Sequence, residues 1–324
     1  MNKMRGWLLA LLCLALCANG AALAEAQGGY TIDGEPYTVS PTIKPDKFRS
    51  EGYEYMLQED DTAVITGYYG EETAIEIPFE LDGHAVTAIG DEAFRRNSLL
   101  TSAYIPGNVL SVGARAFAEC RALTDIYLIN GIVSLGDAVF YRCYSLETVS
   151  IPASITSVGV NPFADCGRLT RILVSEENTA LEIIDDVLFT KEDKRLVCFP
   201  KGLVSVYNYR APEGTKTIGT GAFYGCSSLM SVTLPEGLTR IGNEAFYDCS
   251  ALTSLTLPGS LEEIGSYAFY SCGSLLNLTL PEAVQSIGDR AFLLCLDIKL
   301  TVERGSYAER YCQSNELSFT YADA

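Results

Sequence analysis

Short alternations of apolar and polar residues recur along most of the chain, and many of them end at a proline. Residues 252–258 (Leu-Thr-Ser-Leu-Thr-Leu-Pro) are one example. We expect Leu255 and Leu257 to point inward, with Ser and Thr facing outward, as in a β-strand that has one buried face. Pro258 has no N–H to donate to a backbone ladder, so it ends the strand. The pattern therefore predicts a series of short, half-buried strands.

Each strand is followed by a second segment that leads back to the next strand. Residues 261–269 (Leu-Glu-Glu-Ile-Gly-Ser-Tyr-Ala-Phe) show this segment. Gly265 is expected to permit a tight bend or a positive φ there. A strand and its return segment together predict one coil of a solenoid, because neither can bury its apolar side chains alone.

The spacing of phenylalanine fixes the length of a coil. A spacing of 23 residues separates successive members within the first four and within the last four. The core phenylalanines are Phe94, Phe117, Phe140, Phe163, Phe223, Phe246, Phe269 and Phe292. Glycine stands four positions before each of them, and cysteine stands three positions after all except Phe94. We therefore expect each residue type to stack on its counterpart in the next coil.

These residues carry a family resemblance. The motif Ile-Gly-x-x-Ala-Phe-x-x-Cys-x-x-Leu, complete at residues 241–252, resembles the BspA-like leucine-rich repeats of bacterial surface antigens. The resemblance covers about residues 53–318, and the 23-residue period lies within the leucine-rich repeat range. It implies an α/β-type repeat solenoid, mostly β: a right-handed leucine-rich repeat coil with 23-residue rungs and a parallel sheet on the concave face. It also implies a secreted or surface-displayed protein, associated with host matrix proteins such as fibronectin and fibrinogen and with bacterial co-aggregation.

The first residues are typical of an export signal. Lys3 and Arg5 precede the apolar residues 7–17, and Ala-Leu-Ala at 22–24 offers a cleavage site. The apolar run is too short to span a bilayer. We expect cleavage after residue 24, a secreted or cell-surface location, and no transmembrane segment in the mature chain.

The remainder divides into a spacer and a capped solenoid. The predicted boundaries are a spacer at 25–52, an N-terminal cap at 53–77, repeats at 78–302 with an inserted hairpin at 181–200, and a C-terminal cap at 303–324, so that the solenoid with its caps spans 53–324. The spacer is rich in proline and glycine, and residues 32–35 could turn a small hairpin. In the C-terminal cap, Ser306 and Glu309 have the spacing of a helix capping box. The insertion is interpreted as a lengthened coil, with a dedicated ligand loop as the alternative.

Composition excludes several functions. The chain has 23 Lys and Arg against 41 Asp and Glu, a net charge of −18, which argues against a nucleic-acid partner. His84 is the only histidine, so histidine-dependent catalysis depends on that residue. The acidic pairs lack the spacing of a calcium loop, and no CxxC occurs. Nine cysteines remain after signal cleavage, and we expect buried free thiols. The sequence predicts no enzyme, no catalytic residue, no metal site and no cofactor.

The outward face of the sheet is the candidate binding surface, since solenoids bind through such surfaces. Tyr104 and Tyr127 stand at successive outward positions, beside Asp125, with Arg171 and Leu173 two coils further on. Aromatic residues with arginine are typical of protein-interface hot spots. Ordinary cross-strand packing is the alternative role for these side chains.

The leading hypothesis is a non-enzymatic protein that engages a protein ligand, such as extracellular matrix or another cell's surface. Glycan binding is the first alternative, because tyrosines and hydroxyl groups also stack on and bond to sugars. A purely structural or scaffold protein is the second.

Overall fold

A computed structural model describes residues 46–323, together with the backbone of Gly29–Tyr30 and Pro36–Tyr37. The predicted signal peptide lies outside the described residues, as does most of the predicted spacer. Gly29 pairs with Tyr37 in antiparallel fashion, on either side of the predicted small hairpin turn. Residues 1–45 and 46–324 are two separate units.

The second unit is a mostly β solenoid of parallel strands with coils of about 23 residues. A short helix and a final strand close its C-terminal end. The two strands of the first unit precede the solenoid in the chain. In chain order the strands are β1 (Gly29–Tyr30), β2 (Pro36–Tyr37), β3 (Lys47–Ser50), β4 (Tyr53–Leu57), β5 (Ala63–Tyr68), β6 (Ala74–Glu76), β7 (Glu80–Leu81), β8 (His84–Ile89), β9 (Ser102–Ile105), β10 (Ser111–Val112), β11 (Asp125–Leu128), β12 (Ser134–Leu135), β13 (Thr148–Ile151), β14 (Ser157–Val158), β15 (Arg171–Val174), β16 (Leu181–Ile184), β17 (Val187–Thr190), β18 (Arg195–Cys198), β19 (Asn208–Arg210), β20 (Thr217–Ile218), β21 (Ser231–Thr233), β22 (Arg240–Ile241), β23 (Ser254–Thr256), β24 (Glu263–Ile264), β25 (Asn277–Thr279), β26 (Ser286–Ile287), β27 (Lys299–Val302) and β28 (Phe319–Tyr321). Helix α1 spans Tyr307–Ser314.

Two sides of each regular coil are strands. The longer strands, which form face A, stack in the pieces β6–β9–β11, β13–β15, β19–β21–β23 and β25–β27–β28. The other strands form face B, in the series β8–β10–β12–β14 and β18–β20–β22–β24–β26, most of them only two residues long. Along β23, Ser254 and Thr256 are exposed while Leu255 is buried, as the alternation predicts. Parallel pairing therefore repeats one pattern of inward and outward residues from coil to coil.

The third side of a coil is held by a different ladder. The N–H groups of Glu92, Phe94 and Arg96 donate to carbonyls of the next coil at 2.9, 2.7 and 2.8 Å. Glu92 and Arg96 have φ near +60°, a conformation that is repeated two residues before and after most core phenylalanines. Alternate residues can thus point their N–H groups toward the following coil while the phenylalanine between them points inward.

The repeat glycines do not supply this positive φ. Gly242 and Gly265 both lie outside the positive-φ region, so that part of the expectation for Gly265 is wrong. A Cβ on Gly242 would lie 2.6 Å from the backbone nitrogen of Thr220 in the preceding coil. Glycine is required because successive coils approach too closely there for a side chain.

The core phenylalanines form two stacked series, as the 23-residue spacing predicts. Ring centroids are 4.7–5.7 Å apart from Phe94 to Phe163 and 4.9–5.4 Å apart from Phe223 to Phe292. Phe199 extends the second series, with its ring 5.3 Å from that of Phe223. Its N–H donates to Ala222, just as the N–H of Phe223 donates to Ala245.

Cysteines form a parallel column beside the phenylalanines. The nine cysteines in the described part of the chain are buried and unbridged. Each repeat thiol lies close to the carbonyl of a phenylalanine in the preceding coil, at 2.9–3.2 Å in six coils and 4.0 Å for Cys226 and Phe199. Cys198 joins the column, since burial, followed by the nearby Cys166 and Cys226, raises the pKa of its thiol. The thiols therefore serve as small buried donors.

The insertion contains three strands rather than two. Antiparallel β16 and β17 are joined through Asp185 and Asp186, and β17 and β18 flank a turn that contains the charged residues 191–194. The buried side chains of the solenoid form two hydrophobic clusters, an N-terminal core and a C-terminal core. Leu188 and Val197 pack into the N-terminal core, whereas Phe189 and Leu196 pack into the C-terminal core. Both faces of the hairpin formed by β17 and β18 are buried, so the hairpin lies between the two hydrophobic cores and separates them.

The two ends of the solenoid are capped. At the N-terminal end, β3, β4 and β5 form an antiparallel extension of face B, so the cap begins within the segment assigned to the spacer. At the other end, the Ser306 hydroxyl accepts a hydrogen bond from Glu309 N at 3.1 Å, and the Glu309 carboxylate accepts one from Gly305 N at 2.6 Å. Helix α1 then packs Tyr311 against Phe292 and closes the core.

Candidate functional site

The predicted binding residues all lie on the outward side of face A. Tyr104 belongs to β9, Asp125 and Tyr127 to β11, and Arg171 and Leu173 to β15. Their neighbours in each strand are inward-facing and buried, which fixes these five side chains on the solvent side. The fold therefore presents them without using them in its core.

The two tyrosines form an exposed aromatic pair. Tyr104 and Tyr127 are direct partners in the parallel register, and their ring centroids are 6.5 Å apart with a 36° interplanar angle. Tyr104 is 36% exposed and Tyr127 is 53% exposed. Equivalent outward positions in the C-terminal half carry threonine, at Thr233 and Thr256. Large aromatic surface is thus left in contact with solvent at a position that other coils, such as those of Thr233 and Thr256, fill with a small polar residue.

The remaining predicted residues are only partly brought together. Asp125 lies beside the tyrosine pair and accepts a hydrogen bond from the Thr124 hydroxyl at 2.7 Å. Arg171 and Leu173 pair with Thr148 and Ser150 of β13, so one whole coil separates them from Asp125 and Tyr127. Leu173 is 48% exposed. The structure shows one compact aromatic pair with an acidic neighbour, and a separate cationic and apolar pair on the same face.

Two features of face A were not predicted from the sequence. Glu76 of β6 is the register partner of Tyr104 on the adjacent strand. It therefore adds a carboxylate to the column of outward residues that contains the tyrosine pair. A second set of exposed apolar side chains, Tyr207, Met230 and Leu276, lies at the border of face A in the C-terminal half. Aligning the chain on the residue seven positions after each core phenylalanine would have revealed Met230 and Leu276. Tyr207 is concealed because the insertion interrupts the period.

The reactive groups of the described residues are dispersed or sequestered. Burial raises the pKa of the Cys120 and Cys226 thiols to about 12, which makes them poor nucleophiles at neutral pH. His84 Nδ1 lies 3.0 Å from the backbone carbonyl oxygen of Asp61 in the N-terminal cap. Between residues 46 and 323, no three side chains of His, Cys, Asp or Glu come together as a set of metal ligands.

The described part of the chain has no helix with the length and apolar character needed to cross a membrane. Face A presents an extended contact surface. It is formed by the tyrosine pair, the exposed aliphatic residues and the surrounding hydroxyl groups. Such a surface can bind a partner by packing and hydrogen bonding.

Comparison with solved structures reproduces the fold. The pneumococcal vaccine antigen PcpA is similar over 86% of this chain and 99% of its own, with a TM-score of 0.54 and 17% identity. A leucine-rich cell surface protein of Faecalibacterium prausnitzii is similar over 87% of this chain and 96% of its own, with a TM-score of 0.48 and 23% identity. No curated protein matches the sequence.

The sequence itself identifies the repeat. The model for the BspA type leucine-rich repeat region matches residues 87–209 and 195–308, with six copies of the repeat. These matches span more than half of the chain and contain the stacked phenylalanines, the thiol column and most of face A. The chain belongs to the BspA-type leucine-rich repeat family.

Proposed function

We propose that this protein is an exported bacterial binding protein that engages a protein partner through the outward side of face A. The observation that carries the proposal is the exposed pair of Tyr104 and Tyr127, held side by side on adjacent strands. Interface hot spots are enriched in tyrosine and arginine, and their energy comes from desolvating large rigid side chains. Asp125 beside the pair, and Arg171 with Leu173 further along, supply polar and apolar contacts around it.

The proposal includes an extracytoplasmic location, which places the partner on the outside of the cell. The first 24 residues have the pattern of a cleavable export signal. The family consists of bacterial surface-antigen repeats, and one structural neighbour is described as a cell surface protein. Host extracellular matrix and the surface of another cell are the partner classes that fit these features. The action is binding, without catalysis, metal or cofactor.

A binding experiment with matched variants tests this function. The mature protein is passed over immobilised fibronectin and fibrinogen, and over a glycan array. Tyr104→Thr and Tyr127→Thr replace each tyrosine with the residue found at equivalent positions of the C-terminal half. Each should weaken protein binding by about tenfold or more, equivalent to about 1.4 kcal/mol.

Tyr69→Ala is the matched control, because Tyr69 is an exposed tyrosine at the N-terminal cap, where Arg49 lies over its ring. It should leave binding unchanged. Protein binding that neither face A variant weakens would refute the tyrosine pair as the site. Tyrosine-dependent binding to the glycan array alone would replace the protein partner with a glycan, and absence of all binding would favour a structural role.

A further inference from the structure

A column of positions borders face A. In most coils the position lies one residue before a strand of that face and seven residues after a core phenylalanine. In four coils this position is threonine. Each hydroxyl donates to a backbone carbonyl of the preceding coil: Thr101 to Thr73 at 2.8 Å, Thr124 to Thr101 at 3.0 Å, Thr170 to Glu147 at 3.4 Å, and Thr253 to Met230 at 3.1 Å. Threonine is therefore the residue that serves the fold at this column.

Three coils of the C-terminal half carry a large, exposed apolar side chain at this position. Tyr207, Met230 and Leu276, which we call the apolar column, are 53%, 46% and 49% exposed. The backbone contacts of the position are kept, since Met230 N donates to Tyr207 O at 2.7 Å and Lys299 N donates to Leu276 O at 2.8 Å. These large side chains give up the stabilising hydroxyl contact and leave apolar surface in water, so their presence is not explained by the fold.

The charge beside the apolar column differs from that of the chain as a whole. The outward positions of β19, β21, β23, β25 and β27 are Asn208, Arg210, Ser231, Thr233, Ser254, Thr256, Asn277, Thr279, Lys299 and Thr301. None of these positions is acidic, although the chain carries a net charge of −18. Arg210 contacts Glu213 at 3.4 Å, and both side chains are largely exposed. This half of face A therefore favours an acidic partner.

The spacing of the column matches one kind of secondary structure. In this half the stacked phenylalanine rings of successive coils lie 4.9–5.4 Å apart, and paired strands such as those of face A lie about 4.7–4.9 Å apart. An α-helix rises about 5.4 Å per turn, whereas side chains on one face of a strand are about 6.6–6.8 Å apart. A helix lying along the solenoid axis would place one side chain from each of its turns against one coil. Met230, with its flexible thioether, adapts to different apolar contacts.

We propose that the apolar column is a docking site for an acidic amphipathic helix of a partner protein. The helix contacts Tyr207, Met230 and Leu276 with apolar residues at i, i+4 and i+11, and its residue at i+7 lies over Thr253, which stands between Met230 and Leu276 in the column. Its acidic flanks lie over the hydroxyl and amide groups of face A, toward Arg210 and Lys299. The site is independent of the tyrosine pair, which lies on the N-terminal half of the same face.

The test uses a fluorescent helical peptide with leucine at i, i+4, i+7 and i+11 and glutamate on both flanks. Fluorescence anisotropy with the mature protein should give a Kd of about 10–100 µM. The double variant Met230→Thr/Leu276→Thr, which restores the residue used in other coils, should weaken binding at least about tenfold. The same peptide with lysine flanks should bind at least about tenfold more weakly than the glutamate peptide.

Two control variants establish whether peptide binding is specific to the apolar column. Leu296→Thr removes an 84% exposed leucine at the last coil and should leave peptide binding unchanged. Tyr104→Thr/Tyr127→Thr should also leave it unchanged, so failure of the tyrosine site and failure of this site are distinguishable. Tyr207→Thr, which retains both aliphatic residues, should weaken binding several-fold and serves as the second variant if the double variant is unstable.

Three results would overturn the proposal. They are no peptide binding at about 1 mM, binding that the threonine variants retain in full, and equal affinity for the lysine-flanked peptide. The first two exclude the apolar column as a helix site, and the third excludes its preference for acidic partners.

Discussion

Alkaline pH should unfold this protein because of its buried thiols. Burial raises the pKa of the Cys120 and Cys226 thiols to about 12, and it raises those of Cys143, Cys166, Cys198 and Cys249 above the ordinary thiol value as well. In the unfolded chain the same groups ionise near pH 8.5. Above that pH the unfolded state therefore loses protons that the folded state retains, and the free energy of unfolding falls as pH rises.

The size of the effect follows from the number of thiols. Each thiol costs about 1.4 kcal/mol of stability for each pH unit above about 8.5. The six thiols together lower the free energy of unfolding by about 8 kcal/mol at about pH 9.5. A domain of ordinary stability has about 5–15 kcal/mol in total. The loss begins near the unfolded pKa and continues until the pH reaches the folded pKa near 12.

Urea denaturation at a series of pH values from about 7.5 to 9.5 measures this effect, with reductant present and oxygen excluded. The slope of unfolding free energy against pH gives the number of protons released on unfolding, which should be at least about six at the upper end, because burial also raises the pKa of the Cys312 thiol to about 11. Tyrosines whose pKa is raised by burial, such as Tyr55 and Tyr311, add about one further proton at about pH 9.5, since a tyrosine with an unfolded pKa of about 10 is about one quarter ionised there. Cys249→Ala is the matched variant, and its slope should be lower by about one proton. A flat profile, or a slope that Cys249→Ala leaves unchanged, would refute the reasoning.

Two further predictions concern packing. Phe246→Ala removes a buried ring between Phe223 and Phe269 and should lower the free energy of unfolding by about 3–5 kcal/mol; Leu296→Ala, at an exposed site, should change it by less than about 0.5 kcal/mol, and equal urea midpoints for the two variants would contradict the stacked core. Asn161→Ala removes a buried amide that donates to Gly221 O at 2.7 Å and should cost about 1–3 kcal/mol. Amide exchange should then accelerate on both sides of the insertion, and unchanged protection around Gly221 would show that this contact does not join the two halves.

Most of the repeating architecture could be predicted because it depends on one local pattern. The residues that point inward, the stacking of phenylalanine and the placement of Tyr104 beside Tyr127 all follow from a constant 23-residue spacing. An identical register forces equivalent residues of adjacent coils together, so local sequence suffices to predict these long-range contacts.

The insertion could not be predicted in the same way. Phe199 and Cys198 continue the two columns, but they are adjacent in sequence and in reversed order compared with the repeat motif. Their placement depends on β18, which ends at Cys198 with Phe199 directly after it. Cys198 packs into the N-terminal core and Phe199 into the C-terminal one. The period therefore gives no sign of either residue, and only the three-dimensional packing reveals them.

The hairpin that separates the two cores should constrain where repeat units are gained or lost in evolution. Gain or loss of a complete 23-residue unit within either half preserves every ladder and column, because the new neighbours have the same register. The hairpin has no equivalent unit elsewhere in the described chain, and it packs different side chains against each half. Relatives of different size should therefore vary in the number of units on each side of the hairpin, while the hairpin itself is retained as a single fixed junction.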